Sequence, residues 1–219
     1  MERKIITTGD GSKTIQISDW DEQYHSKHGA VQEAYHVFIK HGLSLFSGRD
    51  VNILEIGFGT GLNTLITYIE SKKNSTKVGY RGVDAYPVSD EELEQLNYIS
   101  ELKAEVFTND FQKMHSSPWE SDIQISDDFV LRKEKKFFAD ITDENIFDLV
   151  YFDAFGARVQ PELWTEEIFS IMYRAMKKDG VLVTYAAKGS VRRAMLAVGF
   201  KVERLPGPPG KREMLRARK

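Results

Sequence analysis

Val51-Asn52-Ile53-Leu54-Glu55-Ile56-Gly57-Phe58-Gly59-Thr60-Gly61-Leu62-Asn63 is the stretch whose reading decides the fold. Its first six residues form a short apolar run of strand length. Three alternate glycines follow, and from Thr60 the apolar residues return at helical spacing. Strand, glycine turn and helix in that order form the first unit of an alternating α/β architecture. Glycines in such a turn admit positive φ and let a ligand approach the main chain closely. In open α/β sheets the turn lies at the carboxyl ends of the strands, where ligands bind.

The pattern repeats outward from this unit. A helix is expected over residues 60–70, a strand over 78–85, and a helix from Ser89, where Ser89-Asp90-Glu91-Glu92 makes a capping-box start. Residues 109–115 read as a short helix, 123–125 and 129–131 as a hairpin, and 137–139 as a strand ending at Asp140. Strands over 147–152 and 181–186 alternate with helices over 165–176 and 190–198. Residues 200–205 and 213–218 are joined by Pro206-Gly207-Pro208-Pro209-Gly210 and should pair antiparallel. Upstream, residues 5–8 and 14–17 flank a Gly9-Asp10-Gly11-Ser12 turn as a β-hairpin, and residues 30–43 read as one helix. These elements predict a mostly parallel sheet with helices on both faces, an antiparallel C-terminal strand and a small N-terminal hairpin. Residues 1–46 read as an appendage and 47–219 as the main domain.

Composition narrows the chemistry. The 219 residues suit one α/β domain with an appendage, and 41 % hydrophobic against 29 % charged residues can bury a core. No apolar run reaches the roughly 18 residues of a membrane span, and the start lacks a signal-peptide stretch, so a cytoplasmic protein is expected. With no cysteine there can be no disulfide, thiol nucleophile or thiolate-held metal. The five histidines lack metal spacing; His36 and His41, five apart, should fall on different helix faces, and no metal is expected. Net charge is −3, yet residues 188–219 hold ten basic and two acidic side chains, a local +8 against −11 for the rest. Such asymmetry suits docking of a polyanion, or an ordinary solvated strand and helix face.

A dinucleotide turn, G-x-G-x-x-G, would need a glycine at 62, where this chain has Leu62. Its third glycine stands at 61, and that spacing after Glu55 is the usual form of S-adenosylmethionine loops, which have no pyrophosphate to cradle. Asp84 ends the next strand, 23 residues beyond Gly61, where a carboxylate accepts ribose hydroxyls. Asp140 is placed to accept from the adenine amino group. Asp153 closes the apolar strand 147–152 on the same rim. There a carboxylate can hold an amine nucleophile and draw off the proton that blocks its lone pair. Phe155 and Trp164 are candidates for stacking on a base, Trp164 otherwise being core.

Beyond these single readings, several segments together resemble one family, the methyltransferase domain of the MnmC/MnmD-type tRNA 5-methylaminomethyl-2-thiouridine-forming enzymes. The markers are Asp21-Glu22-Gln23-Tyr24 through Gly29, Glu33-Ala34-Tyr35-His36-Val37-Phe38, and Leu54 through Asn63. Asp153-Ala154-Phe155 with Pro161-Glu162-Leu163-Trp164-Thr165 follows, then Thr184-Tyr185, Val191-Arg192-Arg193 and Gly210-Lys211-Arg212-Glu213-Met214-Leu215. The resemblance implies a Rossmann-like class I S-adenosylmethionine-dependent methyltransferase fold. It implies N-methylation of a 5-aminomethyl group on the tRNA wobble uridine, giving 5-methylaminomethyl-(2-thio)uridine. Implied cofactor residues are Glu33, Glu55, Gly57, Gly59, Gly61, Asn63, Asp84 and Asp140, with Asp153 at the amine. Lys188, Arg192, Arg193, Lys211 and Arg212 of the basic tail would meet the tRNA. Bifunctional relatives add a carboxyl-terminal FAD-dependent oxidase that is missing from this sequence, so a separate enzyme is expected to supply the aminomethyl precursor. The segment Gly156-Ala157-Arg158-Val159-Gln160 departs from the A-P-x-x-N run expected there. The other readings are a methyltransferase acting on a small-molecule or protein amine, and a tRNA-binding module without catalysis. Intact Gly57, Gly59, Gly61, Asp84 and Asp153 weigh against the latter.

Overall fold

The computed structural model describes residues 2–219. Strands β1 (Arg3–Thr7), β2 (Lys13–Ile17) and β3 (Glu22–Gln23) form a small antiparallel sheet. Next comes α1 (Ala30–Ala34), which continues without a break as a π-helical segment, Tyr35–Lys40. The expected single α-helix over 30–43 is therefore corrected. In the wider π turn, residues five apart share a face. His36 and His41 meet edge to face, with ring centroids 4.9 Å apart, instead of diverging.

The main body runs β4 (Val51–Ile56), α2 (Leu62–Lys73), β5 (Val78–Val83), α3 (Asp90–Leu93), α4 (Tyr98–Glu101), α5 (Thr108–Ser116), β6 (Asp122–Ser126) and β7 (Phe129–Glu134). It closes with β8 (Phe147–Phe152), α6 (Glu166–Ala175), β9 (Met176–Thr184), α7 (Gly189–Val198), β10 (Lys201–Pro206) and β11 (Glu213–Arg218). Eight strands make one sheet in the order β10-β11-β9-β8-β4-β5-β7-β6. The strands from β9 through β7 in that order pair parallel, and β6, β11 and β10 add antiparallel. The expected strand at 137–139 is absent: Phe138–Asp140 is a 3-10 turn. Its place beside β5 belongs to β7, because residues 129–134 alternate buried Phe129, Leu131 and Lys133 with half-buried neighbours along a longer run.

Apolar side chains pack on both faces of the sheet, as its parallel centre requires. On one face Leu65, Ile66 and Tyr68 of α2 cover Tyr80, Phe129 and Tyr151, joined by Phe38 from the π segment. On the other, Ile168, Phe169 and Met172 of α6 and Val191 and Met195 of α7 cover Val150, Phe152 and Leu182. Chain direction across the sheet reverses between β4, whose crossover leads to β5, and β8 on its other side. A topological switch of this kind opens a crevice at the carboxyl ends of the strands.

Candidate functional site

That crevice is a cleft of about 1050 Å³. Its floor is the β4–α2 turn, where Gly57, Gly59 and Gly61 have φ of 89°, 51° and 72°. A Cβ on Gly57 would lie 2.8 Å from the Asp153 carbonyl oxygen, so the turn can pass β8 only as glycine. Asp84, just past β5, accepts from the Gly59 and Tyr86 amides, each at 2.9 Å. Burial holds its carboxyl above the usual carboxylate range, against those bonds and the nearby Arg3 charge. Phe137, Phe138 and Ala139 wall the cleft, whereas Asp140 is exposed and lies off the lining.

Beneath the turn lies a buried polar network. Asn63 Nδ2 donates to Glu55 Oε1 and to Asp153 Oδ2, each at 2.9 Å, and Thr64 Oγ1 donates to Glu55 Oε2 at 3.2 Å. Asn63 Oδ1 is buried and takes no donor from the described residues. Complete burial pushes the Glu55 carboxyl up to about 8 despite its hydrogen bonds. Asp153 is raised well above its ordinary value, first by burial and then by the charge of Glu33; Asn63, and more weakly Lys211, oppose the shift.

Glu55 thus ties folding to pH with a defined sign. Its folded carboxyl keeps a proton that the unfolded chain has already released, so its stabilising contribution is full below about pH 4.5 and lost as pH rises through about 8. The melting temperature is expected to fall between about pH 5 and pH 8, and Glu55→Gln to flatten part of that slope. Parallel thermal scans of both proteins across this range check it; identical slopes would remove Glu55 as a source.

Four lining residues were not read as site residues from the sequence, although Tyr24 and Tyr185 stand among its family markers. Tyr185 lies beside Asp153, and its hydroxyl donates to the Ala154 carbonyl at 2.8 Å. Trp20 and Tyr24, from the N-terminal segment, meet Phe155 edge to face at 5.7 and 4.9 Å. Arg3 of β1 reaches the cleft over the Tyr24 ring and pairs with Glu92 at 3.0 Å. Aromatic residues in the polar stretch before Ala30 were the available signal; their placement depends on chain return over the cleft. The divergent 156–160 segment has its own anchor. Arg158 donates to the Trp20 and Asp21 carbonyls and to Glu22, all at 3.0 Å.

One expected substrate contact is corrected, and a second is found turned inward. Trp164 is only 5 % exposed, packs on Phe152 and Phe169, and donates through its indole to the Phe155 carbonyl at 2.7 Å. It braces the segment carrying Phe155 from below and cannot stack on a base. Lys211 turns inward, where its ammonium pairs with Glu33 and sits 3.8 Å from the centre of the Tyr185 ring. Lys188 and Arg212 are exposed and line a second hollow of about 450 Å³ adjoining the cleft. Arg192 is half-buried and Arg193 exposed on α7, and neither lines the cleft. Among the described residues no side-chain group could hold a metal ion, and no helix is long and apolar enough to cross a membrane.

Fold and glycine turn define a Rossmann-like methyltransferase of the S-adenosylmethionine-dependent class. The chain belongs to the S-adenosyl-L-methionine-dependent methyltransferase family, whose model matches residues 94–219. Among solved structures, MnmC2 from Aquifex aeolicus superposes with a TM-score of 0.78 at 24 % identity, covering 99 % of this chain and 69 % of that one. Spermidine synthase from Thermotoga maritima superposes with a TM-score of 0.56 at 15 % identity, covering 99 % of this chain and 72 % of that one. Among curated proteins, the tRNA 5-methylaminomethyl-2-thiouridine biosynthesis bifunctional protein MnmC of Leptospira interrogans is 30 % identical in an alignment 236 residues long that covers 96 % of this chain and 34 % of the relative. The protein of the same name from Hydrogenovibrio crunogenus is 27 % identical in an alignment 215 residues long that covers 89 % of this chain and 31 % of the relative. This chain spans about a third of the length of these curated relatives.

The residues present fit S-adenosylmethionine. Asp84 offers a carboxylate at the cleft edge, and the positive-φ glycine turn leaves its main chain open on the lining at Gly57 and Gly59, where a Cβ on Gly57 would have no room.

Proposed function

We propose that the chain transfers a methyl group to the 5-aminomethyl nitrogen of a tRNA wobble uridine, giving 5-methylaminomethyl-(2-thio)uridine. The observation that carries this reading is the carboxyl pair of half-buried Asp153 and buried Glu33 on the cleft lining, a constellation suited to a primary ammonium, so that Glu33 is read here beside the amine and not the cofactor. The match to MnmC proteins along about nine-tenths of this chain supports the same choice of amine. Bound S-adenosylmethionine supplies an electrophilic methyl group on a sulfonium. Asp84 and the main chain at Gly57 and Gly59 hold it, with Glu55 and Asn63 bracing the turn from behind.

Asp153 receives the amine. Its carboxyl binds protons more tightly than an ordinary aspartate, so once ionised it is a better acceptor for the ammonium proton. Asn63 fixes the carboxyl through Oδ2, leaving Oδ1 for the amine. Phe155, Trp20 and Tyr24 provide an apolar wall for a base turned out of its stack. Lys188 and Arg212 of the adjoining hollow, with Arg192 and Arg193 on α7, are the basic residues that would meet phosphates. Residues 1–46 are read as an N-terminal hairpin and helix appendage, several of whose residues line the cleft, and 47–219 as the methyltransferase domain. A tRNA substrate also implies a cytoplasmic protein, and a separate reaction that makes the primary amine.

Incubation of undermodified tRNA with labelled S-adenosylmethionine, followed by nucleoside mass spectrometry, tests the reading. Label is expected in 5-methylaminomethyl-(2-thio)uridine, and label confined to a small amine or a protein would overturn it. A further expectation concerns Asp84. Replacing it by alanine removes an acceptor for the ribose hydroxyls and frees the Gly59 amide. Charge-assisted hydrogen bonds contribute about 1.5–3 kcal/mol each. Calorimetric titration with S-adenosylhomocysteine should therefore show Asp84→Ala binding about ten- to a hundredfold more weakly. An unchanged affinity would place the ribose elsewhere.

A further inference from the structure

Lys211 holds a position that its sequence context does not explain. It lies in the β10–β11 turn, amid the basic tail, yet its ammonium is directed away from the rim and into the cleft. There it pairs with Glu33, which is 8 % exposed, and rests on the Tyr185 ring at 3.8 Å. Its charge also acts on Asp153. Carboxylate, aromatic face and a second carboxyl within electrostatic reach are together what a protein offers a primary ammonium. Lys211 is itself an alkyl primary ammonium. The proposed substrate, a 5-aminomethyl group, brings the same chemistry to the same cleft.

A second observation shows where the lysine can go. Lys211 keeps 32 % of its side chain exposed, and with Tyr185 and Gly156 it lines both the cleft and the neighbouring hollow. That hollow is also lined by Arg158, Lys188 and Arg212, with Glu213 the sole acid on its lining. A lysine on a turn between two such spaces can exchange one partner for another by rotating its four-carbon stem.

We propose that Lys211 is a resident ammonium: it occupies the amine subsite of Glu33, Tyr185 and Asp153 when substrate is absent, and yields it to the substrate's primary amine. The displaced side chain turns into the adjoining hollow, where a nucleic-acid phosphate is its natural partner. Without Lys211, buried Glu33 and half-buried Asp153, whose charges act on each other, would lose the cation beside them, which is costly for at least one ionised form. The exchange keeps one cation beside them at every stage. It also selects for a charged amine, since a neutral substituent cannot replace the lysine's charge. The inference rests on the amine reading above.

Equilibrium dialysis of 5-aminomethyluridine and of 5-hydroxymethyluridine against the wild-type chain and Lys211→Met tests it, because methionine retains much of the stem's volume. The variant is expected to bind the aminomethyl nucleoside about tenfold more tightly than the wild type, and the hydroxymethyl nucleoside equally. Equal or weaker binding of the amine by the variant, including no binding to either protein, would overturn the proposal. A second measurement needs no variant. Acetylation of Lys211 by a water-soluble active ester, followed by peptide mass spectrometry, should be slow in the free protein and several-fold faster with 5-aminomethyluridine bound. An unchanged rate in the bound protein would count equally against it. Neither readout requires turnover. A failure to label tRNA would therefore overturn the tRNA reading while leaving the dialysis result to judge Lys211.

Discussion

Asp153→Asn is expected to lower methyl transfer by about a hundred- to ten-thousandfold, the range spanned by general acid–base groups. Asparagine matches the side chain in size and can still accept from Asn63 through its oxygen, so the network under the turn survives. What it cannot do is take the ammonium proton. Binding of S-adenosylhomocysteine should therefore stay close to wild type while turnover collapses. The pH dependence provides a second check. Burial and the Glu33 charge raise the Asp153 carboxyl, so the acid limb of kcat/KM should lie well above the usual carboxylate range, with the rate falling as pH drops through it. In Asp153→Asn that limb should vanish. Single-turnover assays across pH read both effects, and near-normal turnover in the variant would remove Asp153 from the chemistry.

Gly57→Ala should be nearly as damaging, for a steric reason. At φ 89° an L side chain is strained, by about 1–2 kcal/mol for left-handed backbone. The new Cβ would also stand 2.8 Å from the Asp153 carbonyl oxygen, and backbone cannot rotate away as a side chain can. Either β4 and β8 part at their carboxyl ends or the turn lifts into the cleft. Both movements displace the cofactor floor and the Asp153 carboxyl together. Cofactor affinity should fall by at least about tenfold, and turnover by more, since it depends on both positions. Titration calorimetry and single-turnover rates on a variant whose melting curve remains cooperative would show this; wild-type affinity would mean that the strand ends absorb the methyl group without loss.

Asp84 and Lys211 owe their positions to different things, one to a strand register and the other to a long-range fold. Asp84 was legible because its role follows from position along one strand: the residue after β5 must emerge beside the residue after β4, since the strands pair in parallel register from Val51 with Val78 to Ile56 with Val83. Lys211 was read as a surface cation because the sequence around it is basic. Nothing local records that its turn folds back over α1 to reach Glu33, 178 positions away. Trp164 misled in the same way. An indole close after Phe155 reads as a stacking pair, and only packing against Phe152 and Phe169 turns it into the brace beneath. His36 and His41 show the limit within one element, where a π turn changed which residues share a face.

By itself, the stretch from Val51 to Asn63 determined the alternating fold, the glycine turn and the class of cofactor. Periodicity and positive-φ glycine are local properties, enforced by covalent geometry and by strand pairing between near neighbours. Tertiary structure alone decided the rest: that β7 stands beside β5, that Arg158 pins the cover to the cleft, and that Glu33, Asp153 and Lys211 share one cleft. Those arrangements come from long-range burial, in which a charge takes the partner that desolvation makes most necessary, whatever its neighbours in sequence.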